Sequence, residues 1–83
     1  MKLQLRYFAS LREALGKSHE TYETHARTVG EVRDELLGLG LAYACLARGQ
    51  AVRLALNQVM VQDESMEISD NAELAFFPPV TGG

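Results

Sequence analysis

Lys2-Leu3-Gln4-Leu5-Arg6-Tyr7, followed after two residues by Ser10-Leu11-Arg12-Glu13, is the stretch on which the fold turns. Leu3, Leu5 and Tyr7 alternate with Lys2, Gln4 and Arg6, and a period of two is that of a strand with one buried face. Ser10 and Glu13 have the spacing of a capping box, in which the hydroxyl accepts from the Glu13 amide and the carboxylate reaches back to the Ser10 amide. Leu11, Ala14 and Leu15 then share a helical face, and Gly16 supplies a stop. That helix is short, about two turns. A second strand is expected at His19 to Glu23, with Thr21 and Tyr22 as its β-formers. The intervening helix is too short for an ordinary crossover, so the two strands are expected as a hairpin-like pair.

Further along, Thr28-Val29-Gly30-Glu31 repeats the capping-box spacing and opens a longer helix with Val29, Val32, Leu36 and Leu37 as its buried stripe. Gly38 and Gly40 end it. Leu41 to Arg48 reads as another short helical segment, closed by Gly49. From Ala51 the period returns to two, with Val52, Leu54 and Leu56 facing the core and Arg53 facing away. Asn57-Gln58 is a tight-turn candidate, because Asn tolerates positive φ. A short strand is expected at Val59 to Val61. Asp63 to Asn71 reads as a polar loop pinned by Met66 and Ile68, and Glu73 to Phe77 as the last strand. This order predicts an α+β domain, a mixed sheet with helices packed on one face.

Composition narrows the function. Eighty-three residues suit one domain that buries roughly 60% of its unfolded surface. Eight Lys+Arg against 11 Asp+Glu leave a net charge of −3, which argues against a nucleic-acid partner, since phosphates call for clustered cations. One cysteine excludes an internal disulfide and a multi-thiolate zinc site. No apolar run reaches the roughly 18 residues of a membrane span, and the first residues enter a strand pattern directly, so no signal peptide and a cytoplasmic location are expected.

Enzyme motifs are missing: no G-x-G-x-x-G, no Walker-type loop and no G-x-S-x-G elbow. His19 and His25 lie in polar surroundings and read as surface histidines. Cys45, within Leu41-Ala42-Tyr43-Ala44-Cys45-Leu46-Ala47, reads as a core thiol. Asp63, Glu64, Glu67, Asp70 and Glu73 miss the EF-hand spacing and read as a solvated acidic loop; no metal site is expected.

The last eight residues are different. Phe76-Phe77-Pro78-Pro79-Val80-Thr81-Gly82-Gly83 begins with two prolines that remove backbone donors and end the sheet. They favour the extended polyproline conformation. The six residues after Phe77 can span roughly 20 Å. Gly82 and Gly83 surround the last carbonyl with no side chain, so a narrow channel could admit it and a nucleophile could reach it. Residues 1–77 are therefore expected to form the domain and 78–83 a flexible tail.

At these residues the sequence resembles the small, sulfur-carrying subunits of molybdopterin synthase, members of the ubiquitin-like sulfur-carrier family. The ending at 76–83 carries most of the resemblance. Tyr7-Phe8-Ala9 leading into Leu11-Arg12-Glu13, Ala55-Leu56-Asn57-Gln58 and Asp70-Asn71-Ala72-Glu73 agree in order and spacing, while Leu39 to Gly49 matches nothing particular. The resemblance implies a ubiquitin-like β-grasp fold. It implies that the Gly83 carboxylate is adenylated by an activating enzyme that consumes ATP, then receives sulfur from a donor protein as a thiocarboxylate. The tail then enters the large synthase subunit, which holds the catalytic pocket, and gives sulfur to a cyclic pyranopterin phosphate. No bound cofactor is implied. Gly82 and Gly83 would be the reacting end, and Pro78, Pro79, Val80 and Thr81 the inserted segment. Phe8 and Phe77 would form an aromatic anchor, with Arg12 beside them, although Phe8 reads equally well as core. A carrier for another pathway of the thiamine type, a protein modifier, and a binding module with an inert tail are the alternatives.

Overall fold

The computed structural model describes residues 1–78. Its elements are β1 (Lys2–Tyr7), α1 (Ala9–Leu15), β2 (His19–Glu23), α2 (Val29–Leu37), 3₁₀ turns at Leu41–Leu46 and Arg48–Gln50, β3 (Arg53–Leu56), β4 (Val59–Met60) and β5 (Glu73–Phe77). The five strands form one sheet in the order β2-β1-β5-β3-β4. β1 and β5 are parallel neighbours at its centre, with Leu5 beside Leu74 and Tyr7 beside Phe76. The other three pairings are antiparallel, including the expected β1–β2 pair. No helix among the described residues is long and apolar enough to cross a membrane.

The alternating pattern produces this architecture directly. Leu3, Leu5, Tyr7, Leu54, Leu56, Leu74 and Phe76 point to one side and meet Val29, Val32 and Leu36 of α2 together with Leu11, Leu46 and Ile68. Nine of the largest side chains in this core are sealed from solvent. Truncating such a residue typically costs about 2–5 kcal/mol, a large share of the stability of a domain this size.

Local signals held in some places and failed in others. Thr28 caps α2, its hydroxyl accepting from the Glu31 amide at 3.2 Å. The Glu31 carboxylate reaches one residue further than expected and accepts from the Arg27 amide at 2.7 Å. Asn57 and Gln58 adopt φ 49° and 70°, the signs of a type I′ turn. Gly16 ends α1 at φ 76°. Ser10, by contrast, caps nothing. The chain leaves β1 at Tyr7 and α1 begins at Ala9, with Phe8 as an uncapped N-terminal boundary. Ser10 therefore lies inside the first turn, two residues past the N-cap position from which its hydroxyl could accept the first amides.

Two charged groups are structural in ways that periodicity does not reveal. Arg33, on the buried side of α2, is only 3% exposed. Its Nε donates to the Leu46 carbonyl at 2.7 Å and its Nη1 to Glu64 at 2.8 Å. Glu64 also accepts from Arg48, which in turn reaches Asp34. Asp63 accepts from the Ser65 amide at 2.8 Å, and Asp70 from the Lys2 amide at 2.8 Å. Asp63, Glu67 and Asp70 are exposed, so the acidic loop is solvated as expected, and these contacts also tether it. Gly30 lets it close: its amide donates to the Glu64 carbonyl at 2.8 Å, and a Cβ there would lie 3.2 Å from that oxygen.

On the opposite side Glu20 gathers three donors. Tyr7 and Tyr43 hydroxyls reach one oxygen at 2.6 and 3.0 Å, and Lys17 reaches the other at 3.0 Å. Burial alone would raise the Glu20 carboxyl, but these hydrogen bonds outweigh it and hold the group below its ordinary range. Tyr22 is pushed up to about 12 by burial and by donating to Glu35, and burial with the Glu20 contact raises Tyr7 further. A phenol raised in the folded state contributes stability that is complete below its unfolded pKa and lost as pH climbs through the folded one. Urea unfolding should therefore show stability falling as pH rises from 10 toward 12. Tyr22→Phe should make that fall shallower, leaving the share due to Tyr7; an unchanged slope would contradict the assignment.

Candidate functional site

The residues singled out near the chain end converge at one end of the sheet. Phe8 follows Tyr7 in extended conformation, at φ −119° and ψ 152°. Its amide donates to the Phe76 carbonyl at 3.1 Å, so the β1–β5 ladder runs one step past β1. Because side chains alternate along a strand, Tyr7 and Phe76 point into the core and Phe8 and Phe77 point to the other side. The Tyr7 and Phe76 rings stack beneath, with centroids 5.7 Å apart. Phe8 is 42% exposed, which resolves its two readings: it is not a core residue. Phe77 is half-buried.

The register extends this outer face across the sheet. Phe77 lies beside Arg53, Ala75 beside Ala55 and Ala55 beside Met60. The result is an apolar strip of Phe8, Phe77, Ala75, Ala55 and Met60. Both alanines are nearly covered, while Met60 is 37% exposed. Arg6 flanks the strip, its guanidinium 5.6 Å from the Phe8 ring centroid and 3.7 Å from a Glu73 carboxylate oxygen. Arg53 is exposed on the other flank. Met60, Ala55 and Ala75 were not among the expected site residues. Only the cross-strand register places them beside Phe77, although the all-apolar triplet Val59-Met60-Val61 was a visible sign of an unusual edge.

Arg12 is exposed on α1, its carbonyl accepting from the Gly16 amide, and its guanidinium makes no hydrogen bond or ion pair among the described residues. α1 starts immediately after Phe8, so Arg12 stands near the strip without being part of it. The sharp exit from the strand is made by Ala9 at φ 52°. This left-handed conformation disfavours a residue with a Cβ by about 1–2 kcal/mol.

Phe77 is the last paired residue of β5, and half-buried Pro78 begins the tail. Pro79, Val80, Thr81, Gly82 and Gly83 lie outside the described residues. The other candidates are placed plainly. His19 and His25 are exposed. Cys45 is half-buried, not enclosed as expected, with burial raising its thiol. The strip itself offers aromatic and aliphatic carbon between guanidinium groups, a composition suited to holding a surface.

Residues 5–83 match the ThiS family. This chain belongs to that family. Two curated relatives carry the name molybdopterin synthase sulfur carrier subunit. One, from Haemophilus influenzae, is 35% identical over 81 residues, covering 98% of this chain and 99% of the relative. The other, from Escherichia coli, is 30% identical with the same coverage. Among solved structures, SAMP1 from Haloferax volcanii superposes with a TM-score of 0.79 at 25% identity, covering all of both chains. A complex of subunits 1 and 2 of molybdopterin-converting factor from Helicobacter pylori contains a chain matching at TM-score 0.74 and 20% identity, again over all of both chains. Together with the sheet order, these likenesses establish the ubiquitin-like β-grasp fold of the family.

The two phenylalanines on either side of the β1–β5 ladder should respond oppositely to truncation. Phe76→Ala should lower the unfolding free energy by about 3–5 kcal/mol. Phe8→Ala should change it by less than about 1 kcal/mol, as measured by urea denaturation. A large loss for Phe8→Ala would mean that its ring supports the fold instead of the outer face.

Proposed function

We propose that this chain is the sulfur carrier of a molybdopterin synthase. The observation that carries the reading is the near-full-length identity of 35% and 30% to two subunits of that name. The ending Phe-Phe-Pro-Pro-Val-Thr-Gly-Gly supports it chemically. The small archaeal modifier proteins of similar structure stand at lower identity, so the carrier reading is preferred to the modifier.

A carboxylate is a poor electrophile because its charge repels nucleophiles. The Gly83 carboxylate attacks the α-phosphate of ATP in the activating enzyme, releasing pyrophosphate and forming an acyl-adenylate. Sulfide-level sulfur from the donor protein attacks the acyl carbon and AMP leaves, so that a thiocarboxylate remains, one hard step divided into two easier ones. Its sulfur then attacks a carbon of the pyranopterin precursor to give a thioester, and water cleaves the carrier's C–S bond, leaving sulfur on the pterin and regenerating the carboxylate for another round. Gly82 and Gly83 keep the approach clear on both sides of the reacting carbon. Pro78 and Pro79 hold Val80 and Thr81 away from the domain as the segment enters the large subunit. The strip of Phe8, Phe77 and Met60, with Arg12 at its margin, supplies the surface that docks on that subunit and, in turn, on the activating enzyme. The pterin pocket and its acid–base groups are assigned to the large subunit, because the inserted segment Pro-Pro-Val-Thr-Gly-Gly carries no charged side chain to bind a phosphorylated pterin. A cytoplasmic location goes with this reading.

Intact mass of the protein purified from its own cell tests the reading, with a fraction carrying sulfur in place of one oxygen expected. Removing Gly82 and Gly83, or adding one residue after Gly83, should leave folding unchanged and abolish sulfur transfer to the precursor by the reconstituted complex. Full transfer by the extended chain would overturn the proposal.

A further inference from the structure

The sheet has one long free edge. β2 ends the strand order, and among the described residues its only strand partner is β1. The Met1 amino group donates to the Thr24 carbonyl, the Thr24 amide to the Met1 carbonyl, and the Tyr7 amide to the Ser18 carbonyl. In an antiparallel ladder the bonded pairs recur every second residue, so Ser18, Glu20, Tyr22 and Thr24 turn their backbone groups toward β1. His19, Thr21 and Glu23 turn theirs outward. Among the described residues, no bond recorded from another element or side chain occupies these six groups. An edge of this kind is a template for a further strand.

The side chains decide which strand fits. His19, Thr21 and Glu23 are all exposed on the outer face of the sheet. We infer that this edge pairs with the same edge of a second copy, antiparallel about a two-fold axis at Thr21. In that register Thr21 meets Thr21 and His19 meets Glu23 of the second copy, at both ends. All six outward backbone groups of each copy are then used. Sliding the strands by two residues, the smallest shift that keeps the groups facing, loses two of the six hydrogen bonds or sets His19 against His25 of the second copy.

Charge complementarity extends beyond the pair. Within one copy Lys2 lies beside Glu23 and Arg6 beside His19. Across the joined sheet the outer row therefore reads Arg6, His19, then Glu23 and Lys2 of the second copy, so each carboxylate has nitrogen-bearing groups on both sides. Opposite-charge and Thr–Thr neighbours of this type stabilise a pair of strands relative to alanine. Gln4 already fixes the geometry, accepting from Thr21 at 3.1 Å and contacting His19 at 3.0 Å. On the helix side the pairing brings Glu20 opposite Tyr22. Glu20 is neutralised by Lys17, and Glu35 is satisfied by the Tyr22 and Thr24 hydroxyls, so neither presents a bare carboxylate to the second copy. An edge defended against association would carry one sign of charge; this one alternates in self-complementary order.

The pairing is independent of the reading of the chain end. β1 separates β2 from the Phe8–Met60 strip, so that strip stays open. The two-fold axis sends the two β5 ends in opposite directions, so the pair presents two separate tails and not one double site. A five-residue strand buries far less than the roughly 1,600 Å² of a standard interface, so the association is weak, with a dissociation constant of about 10 µM to 1 mM.

Amide NMR of the full chain from micromolar to millimolar concentration, with sedimentation of the same samples, tests this. Concentration-dependent shifts are expected at His19, Thr21 and Glu23 and not at Phe8 or Met60. Glu23→Lys should weaken the dimer about tenfold, and adding His19→Glu to it should restore the association, since opposite signs face each other again. Thr21→Pro, tolerated on an edge strand, should abolish association while the β1 amides keep their folded shifts. A chain that stays monomeric at millimolar concentration, shifts centred on Phe8 and Met60, or a double substitution no tighter than Glu23→Lys alone would each overturn the inference.

Discussion

The parallel pairing of the first strand with the last governs everything else in this molecule. Tyr7 beside Phe76 is buried under the helices, and the two rings stack. A slip of one residue would turn both rings to solvent and bring Phe8 and Phe77 inside, so the register is set by the energy of the core. Parallel neighbours require a long connection. Here almost the whole chain supplies it, from α1 to the turn at Asn71. Once that connection closes, the outward placement of Phe8 and Phe77 and the departure of the chain from the middle of the sheet follow without further instruction.

Closing such a connection leaves an irregular stretch between α2 and β3, and apolar packing holds it at few points. Leu46 is sealed, but Leu41 is 93% exposed. Polar contacts do the remaining work. Tyr43 joins Glu20, Arg48 joins Asp34 and Glu64, and Arg33 takes the Leu46 carbonyl. A buried guanidinium adds little net stability when paired and costs several kcal/mol when its partner is lost. These tethers therefore act as position markers: they penalise other placements of the segment more than they deepen the native one.

This difference explains how much was legible in the sequence. Period-two alternation assigned β1 and β3 their faces, since Leu3, Leu5, Tyr7, Leu54 and Leu56 share one physical cause of burial. Thr28 and Asn57-Gln58 announced a helix start and a turn through local chemistry alone. Ser10 failed for an instructive reason. Its spacing from Glu13 was right, but the β1–β5 ladder carried Phe8 in extended form and set the helix start by itself. Arg33 and Glu64 could not be read, because an arginine on an apolar stripe is ordinarily solvated and its partner lies thirty-one positions away. Of the site, Phe8 and Phe77 were visible as aromatics at strand ends. Met60 joined them only through two successive cross-strand registers, which no local pattern encodes.

The outer face carries features that a search for stability alone would remove. Phe8 and Met60 leave apolar surface in water, where each forgoes roughly 25 cal/mol for every Å² it could have buried. Ala9 is held in a left-handed conformation that glycine would adopt without penalty. A glycine there would also loosen the one joint that fixes Phe8 relative to the exit of β5. The Phe8 amide is bound to the Phe76 carbonyl, so the ring sits beside the exit of β5, and in the proposed docking a partner that grips it would set where the following segment goes. Rigidity at this corner and apolar exposure beside it are two halves of one device, and the deep core beneath supplies the surplus stability that both consume.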